Sequence, residues 1–271
     1  MISILSNVGS LRLQNIMNYA VAMMTQSAER MVTGKRINSA KDDAAGYMLS
    51  VRMDSQIRGA EFAKQTSAYA KTVTDGVADS VGMVYDKYTQ IKELAQKAAN
   101  TSSTEDRDAY EAEAKILLND VRRIEAATKE AYNLKPGTTT FQIGSDSSST
   151  SRIDVDLSGW INPTSATLTI DFSDSGKIND VINDSETLAK TCGGYLGTLG
   201  ATSNTLESNI KLQDSMIINL SEAKSRITDA DMARESSNFA KSQISAQTAL
   251  ALMTQFQNFS ANMALSLIKG M

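Results

Sequence analysis

Tyr110-Glu111-Ala112-Glu113-Ala114-Lys115-Ile116-Leu117-Leu118-Asn119-Asp120-Val121-Arg122-Arg123-Ile124 decides the fold. Continued to residue 131, its inward stripe reads Tyr110, Ala114, Leu117, Val121, Ile124, Thr128 and Ala131, in steps of 4, 3, 4, 3, 4 and 3. Those steps place one side chain per turn on a single helix face and describe a heptad seam with one polar member. A second stripe runs through Leu199, Ser203, Leu206, Ile210, Gln213, Ile217, Leu220, Lys224 and Ile227; three of its nine members are polar, so its seam is partly wet. A third passes through Phe62, Tyr69, Val73, Val77, Val81, Val84, Tyr88, Ile91 and Ala95. The expected fold class is mainly α: an elongated, coiled-coil-like helical rod made from these three stripes.

Proline usage agrees. Pro136 and Pro163, with the only tryptophan, Trp160, lie in one central segment. Proline removes a backbone donor and clashes with the preceding turn, so its absence elsewhere permits long helices on both sides. Ser39-Ala40-Lys41-Asp42 has the form of a capping box, which predicts a helix from about Asp42 to Ala99. At ~1.5 Å per residue it would be roughly 85 Å long. Asn100 to Ser103 breaks it, and Ser103-Thr104-Glu105-Asp106 caps the next.

The two ends are amphipathic as well. Leu13, Ile16, Met17, Ala20, Met23, Met24 and Met31 mark one face of an N-terminal helix. Ala246, Leu250, Met253, Phe256, Met263 and Leu267 mark a C-terminal one. Neither has a partner in its own half, so the two are expected to pair with each other. Each such side chain contributes ~1.5–3 kcal/mol when fully buried, against ~1–2 kcal/mol of backbone entropy for every residue ordered. A terminal pair on its own is therefore marginal, and completed by neighbouring copies it is stable.

Between the helices the period becomes two. Ile153, Val155 and Leu157 alternate with aspartates, as do Leu168, Ile170 and Phe172 with polar residues. With Thr138–Ile143 these predict three antiparallel strands, followed by a helix over Lys177–Thr191. The expected organisation is thus 1–41 and 229–271 as terminal segments, 42–131 and 192–228 as the two halves of the helical body, and 132–191 as a small β-rich outer segment.

The composition narrows function. With 27 Lys and Arg against 31 Asp and Glu, the net charge is −4, so no basic surplus points to nucleic acid or an anionic membrane. Histidine is absent, which removes the commonest general base and metal ligand. Cys192 has no second cysteine to pair with and no histidine to activate it. The carboxylate pairs Asp42/Asp43 and Asp229/Asp231 sit at helix starts, where capping against the helix dipole is the expected role. No catalytic residue, cofactor or metal ion is expected. Arg12 interrupts the position of a secretory signal core, and no segment reaches membrane-spanning length. The 13 methionines are core filler, or let one surface pack against several neighbours.

Arg36-Ile37-Asn38-Ser39-Ala40-Lys41-Asp42-Asp43-Ala44-Ala45-Gly46 and, far downstream, Ser225-Arg226-Ile227-Thr228-Asp229-Ala230-Asp231-Met232-Ala233-Arg234-Glu235 resemble the paired terminal signatures of bacterial flagellins. The resemblance covers roughly residues 1–130 and 190–271, and Phe141-Gln142-Ile143-Gly144 adds to it. It implies a non-enzymatic subunit, exported through the growing flagellum and polymerised with copies of itself into a hollow filament for motility. It also implies an export chaperone and a cap protein as partners, and terminal helices over about 3–33 and 235–268 lining the channel. Ser147, Ser148, Ser149 and Ser151 are either a solvated polar turn or, as in the resembling flagellins, acceptors of O-linked sugars. In flagellins sensed by an innate immune receptor, the stretch aligned with Gln90-Ile91-Lys92-Glu93-Leu94 begins with a cation. Glu93 and Leu94 match and Gln90 does not, which implies weaker activation. The central segment is short for the family, and Ile268 to Met271 extend past its usual ending. A hook–filament junction protein of the same export system, or a secreted coiled-coil adhesin or ligand, are the alternatives.

Overall fold

The computed structural model describes residues 8–133, 138–144, 151–156 and 168–269. Among them are five helices: α1 (Val8–Thr33), α2 (Ala44–Asn100), α3 (Thr104–Ala131), α4 (Ser175–Thr228) and α5 (Met232–Lys269). One two-stranded antiparallel sheet pairs β1 (Thr138–Gln142) with β2 (Arg152–Asp156). The chain divides into a first unit, Met1–Ser55 with Leu220–Met271, and a second, Gln56–Asn219.

In the second unit, helix ends follow their local chemistry. The Ser103 hydroxyl accepts the Asp106 amide at 3.2 Å, and Glu105 and Asp106 set negative charge against the positive end of α3. Just past the other end of α3, Asn133 takes φ 49°, the left-handed conformation that closes a helix. The core of this unit joins Val77, Val81, Val84, Tyr88 and Ile91 of α2, Ala114, Leu118 and Val121 of α3, and Ile178, Val181 and Leu199 of α4. The expected stripes of α2 from Val73 to Ala95 are buried throughout.

Lower in α2 the stripe shifts by one residue. Phe62 and Tyr69, expected inward, are each 61% exposed, while Ala63 and Ala70 are fully buried. Ala60, Ala63, Ser67 and Ala70 form the inner row, and small side chains let backbones approach, which turns the bulky neighbours outward. The contact with α4 here is polar: the Ser67 hydroxyl donates to the Asn209 side-chain oxygen at 3.0 Å, and the Ser203 hydroxyl to Asp75 at 2.6 Å. Lys64 pairs with Asp214 at 2.6 Å. This is the wet seam expected from Ser203 and Gln213. The ring of Tyr69 stands edge-on to Phe141, centroids 6.2 Å apart. A Cβ at Gly76 would sit 1.9 Å from the Tyr132 hydroxyl, so any larger residue there displaces that ring.

Two further expectations are corrected. Leu168, Ile170 and Phe172 form no third strand; all three are buried in the helical core. The Phe172 amide donates to Glu111 Oε2 at 2.8 Å, so a helix carboxylate takes the place of a neighbouring strand. The helix expected over Lys177–Thr191 continues without a break into the C-terminal stripe, making α4 one helix of 54 residues. Leu157 lies outside the described residues.

A candidate assembly interface

The first unit is built around the two stretches quoted as signatures. Gly34, φ +69°, ends α1 in a conformation that L side chains rarely adopt. The chain then forms an isolated antiparallel bridge, Lys35 to Asp229. The Arg36 amide donates to the Thr228 carbonyl at 2.7 Å and the Ala230 amide to the Gly34 carbonyl at 2.9 Å. The Arg36 guanidinium donates to the Ile227 carbonyl at 2.8 Å. Stretches nearly two hundred residues apart thus share one backbone ladder, with Ile37 and Thr228 buried beneath it.

The aspartates cap and brace. Asp42 Oδ2 accepts the amides of Asn38 and Ser39, at 3.1 and 3.0 Å, and the Ser39 hydroxyl at 3.1 Å. The Ser39 amide, with the other donors, holds the Asp42 carboxyl below its ordinary value. This is half of the expected capping box: the carboxylate reaches back, but the serine hydroxyl donates to it instead of accepting an amide. The α2 cap is Asp43, whose Oδ1 accepts the Gly46 amide at 2.9 Å. Asp231 Oδ1 caps α5, accepting Ala233 and Arg234 amides at 3.0 and 3.2 Å. Asp229 accepts the hydroxyls of Ser225, at 2.5 Å, and Thr228, at 3.1 Å. Arg226 reaches Glu222 on the exposed surface.

From this junction α1 and α5 run antiparallel, since Arg30 meets Glu235 near it while Ile16 and Ser245 share a cleft farther along. What they bury together is small: Ala20, Ser27 and Ala249, with Glu235. Leu13, Met17, Met23, Met24, Met31, Ala246 and Met253 are half-buried. Ile16, Leu250 and Phe256 stay 53%, 53% and 46% exposed. The side chains of Met263 and Leu267 lie outside the described residues. The expected pairing of the two ends is present, but their close contact is made by alanines and serine, and the large apolar residues are left partly open. Tyr19, Ile244 and Phe259, none of them in the expected stripes, are exposed too. Their signal was available: both helices are apolar on more than one side, which a single-stripe reading passes over.

One polar feature is incomplete. Arg30 Nη1 meets Glu235 Oε1 at 3.3 Å, while Glu235 Oε2 is buried with no hydrogen-bond partner. Burying an unsatisfied polar atom costs ~1–3 kcal/mol, more for a charged group.

The remaining expected sites lie in or beside the second unit. Gln90 and Glu93 are exposed, whereas Leu94 is buried in the core, so only the first two reach the surface. Ser151 is half-buried and its carbonyl accepts the Ile143 and Gly144 amides, at 2.8 and 3.1 Å; Ser147, Ser148 and Ser149 lie outside the described residues. Cys192 is buried, and desolvation pushes its thiol up to about 11. Among the described residues no cluster of three metal-ligating side chains occurs, and no helix is long and apolar enough to cross a membrane.

Two family models match the chain: the bacterial flagellin N-terminal helical region over residues 4–133 and the bacterial flagellin C-terminal helical region over residues 186–268. A flagellin of Halalkalibacterium halodurans is 30% identical over 240 residues, covering 85% of this chain and 86% of its own. A flagellin of Listeria innocua is 26% identical over 270 residues, covering 92% and 94%. The flagellin FlaB1 of Treponema pallidum is 26% identical over 284 residues, covering 97% and 98%.

Proposed function

Since the chain belongs to the bacterial flagellin family and is a structural subunit of the helical flagellar filament outside the cell, we propose that α1 and α5 are its polymerisation surface. The observation that carries this reading is the open apolar face of the α1–α5 pair. Leu11, Ile16, Tyr19, Ile244, Leu250, Phe256 and Phe259 are each 46–67% exposed. Exposed large apolar side chains concentrated on one helix pair point to an interaction site, and in a filament the surface available to cover them belongs to neighbouring copies. Contacts between unlike faces that do not close into a ring propagate as a helix, so one repeated contact is enough for a filament. On this reading the segments 1–41 and 229–271 face the channel, 42–131 and 192–228 surround it, and 132–191 faces outward. No catalytic step is assigned to the chain.

Purified full-length chain added to short filament seeds is expected to lengthen them, as seen by negative-stain electron microscopy. A chain that stays monomeric on seeds refutes the interface. High copy number in sheared filaments is expected as well, where a hook–filament junction protein would be scarce.

The receptor reading is narrower. Gln90 brings no cation to a contact that a charge-assisted hydrogen bond would strengthen, and Leu94 is buried. Gln90→Arg is expected to raise activation severalfold in a cell reporter assay; full potency of the unaltered chain would contradict this. The export chaperone and cap protein remain partners implied by family membership, without residues assigned to them.

A further inference from the structure

A cleft of about 340 Å³ opens between α1 and α5 of the first unit. Ile16, Tyr19 and Met23 line it from one helix, and Asn238, Lys241 and Ser245 from the other. Arg30 and Glu235 lie at its junction end. Arg30 satisfies one carboxylate oxygen of Glu235; the other is buried without a partner, in a side chain only 7% exposed. Lys241 lines the same cleft, yet it is exposed and makes no bond to that oxygen.

We propose that a lysine or arginine side chain from a second copy of this chain enters the cleft in the filament and, displacing the side chains that close Glu235 Oε2 off from solvent in the single subunit, pairs with that oxygen. The inference rests on the polymerisation reading above and adds to it a polar contact that fixes register. Three observations select this occupant. The vacant group is a carboxylate oxygen, whose strongest partners are cationic N–H donors. The walls, apolar toward Ile16 and Met23, suit the methylene stem of a long basic side chain. The cleft is flanked by the exposed Ile16 and Tyr19, part of the same face that a second copy would cover, and the first unit itself carries exposed cations, including Arg12 and Arg234. An apolar contact alone slides readily along a helix; one charged group that must meet one carboxylate does not. Specificity of this kind comes from the penalty of leaving either charge unpaired.

The test is a helical reconstruction of filaments grown from the full-length chain, together with seeded growth of Glu235→Gln. A lysine or arginine nitrogen of a neighbouring subunit is expected within about 4 Å of Glu235 Oε2. Glu235→Gln is expected to raise the critical concentration for growth by about tenfold or more, as loss of one charge-assisted bond implies, whereas Arg30→Gln, which breaks the intrachain pair but keeps the carboxylate, is expected to raise it less. A cleft filled by water, by an apolar side chain or by the chain's own Lys241 overturns the proposal, and so does an unchanged critical concentration. If the unaltered chain grows no filament at all, it is the polymerisation reading that fails.

Discussion

Removing the last thirty residues, 242–271, is expected to abolish growth on seeds completely while leaving the second unit folded. The truncation takes away Ala249, one of the few fully buried contacts of the α1–α5 pair, and the exposed Ile244, Leu250, Phe256 and Phe259. What remains of α5, Met232 to Lys241, is under three turns and too short to persist without packing. α1 then loses both its own partner and half of the surface that copies would cover. The core of the second unit, running from Val73 to Leu199, contains nothing from the deleted residues. Its helical signal and its main melting transition are expected to survive, as followed by circular dichroism. Truncated subunits that still elongate seeds would show that α5 is dispensable for assembly.

Phe172→Ala is expected to destabilise the second unit by about 3–5 kcal/mol, the cost of truncating a fully buried aromatic ring and leaving its cavity. Phe172 is 1% exposed within the helical core and is held there by backbone as well as ring, through the amide bond to Glu111. That anchor adds a pH dependence. The Lys115 ammonium first, and the Phe172 amide second, hold the Glu111 carboxyl below its ordinary value of 4.5. A carboxylate whose folded value is depressed contributes stability above its unfolded value and loses it as pH falls through the folded one. Stability of the unaltered chain is therefore expected to decline as pH drops below about 4.5, and less steeply in Glu111→Gln, which has no charge to lose. Denaturant titration of both variants at neutral and acid pH measures the two effects. A Phe172→Ala loss under about 1 kcal/mol would mean that the segment from Leu168 to Phe172 packs less tightly than its burial indicates.

The long helices were legible because their heptad steps persist over many turns; from Val73 to Ala95 the inward residues are those the spacing selects, whereas in α3 Ala114, Val121 and Thr128 are buried as selected but Leu118 and Glu125 are buried more deeply than the expected Leu117 and Ile124. Legibility failed where alanine competes with an aromatic ring. Hydrophobicity favours Phe62 and Tyr69, but close helix approach favours Ala63 and Ala70, and the approach depends on α4, a partner remote in sequence. It failed too at Leu168 to Phe172, where alternation indicates an extended segment but says nothing of whether a strand or a helix carboxylate takes its amides. The break expected near Thr191 rested on a change of pattern, while α4 tolerates Gly193, Gly194, Gly197 and Gly200 in its interior. The signature stretches were recognisable as motifs, yet their shared ladder from Lys35 to Asp229 is a long-range pairing that no local pattern encodes. Glu235 shows the same limit, since its incompletely paired carboxylate is visible only once α1 is laid beside α5.

Amide hydrogen exchange, read peptide by peptide on the monomer and on the assembled filament, tests most directly whether neighbouring copies complete the α1–α5 pair. Fast exchange across Val8–Thr33 and Met232–Lys269 in the monomer and strong protection in the filament are predicted, with the core helices of the second unit protected in both. Equal protection of the terminal helices in the two states, whether high or low, would contradict it.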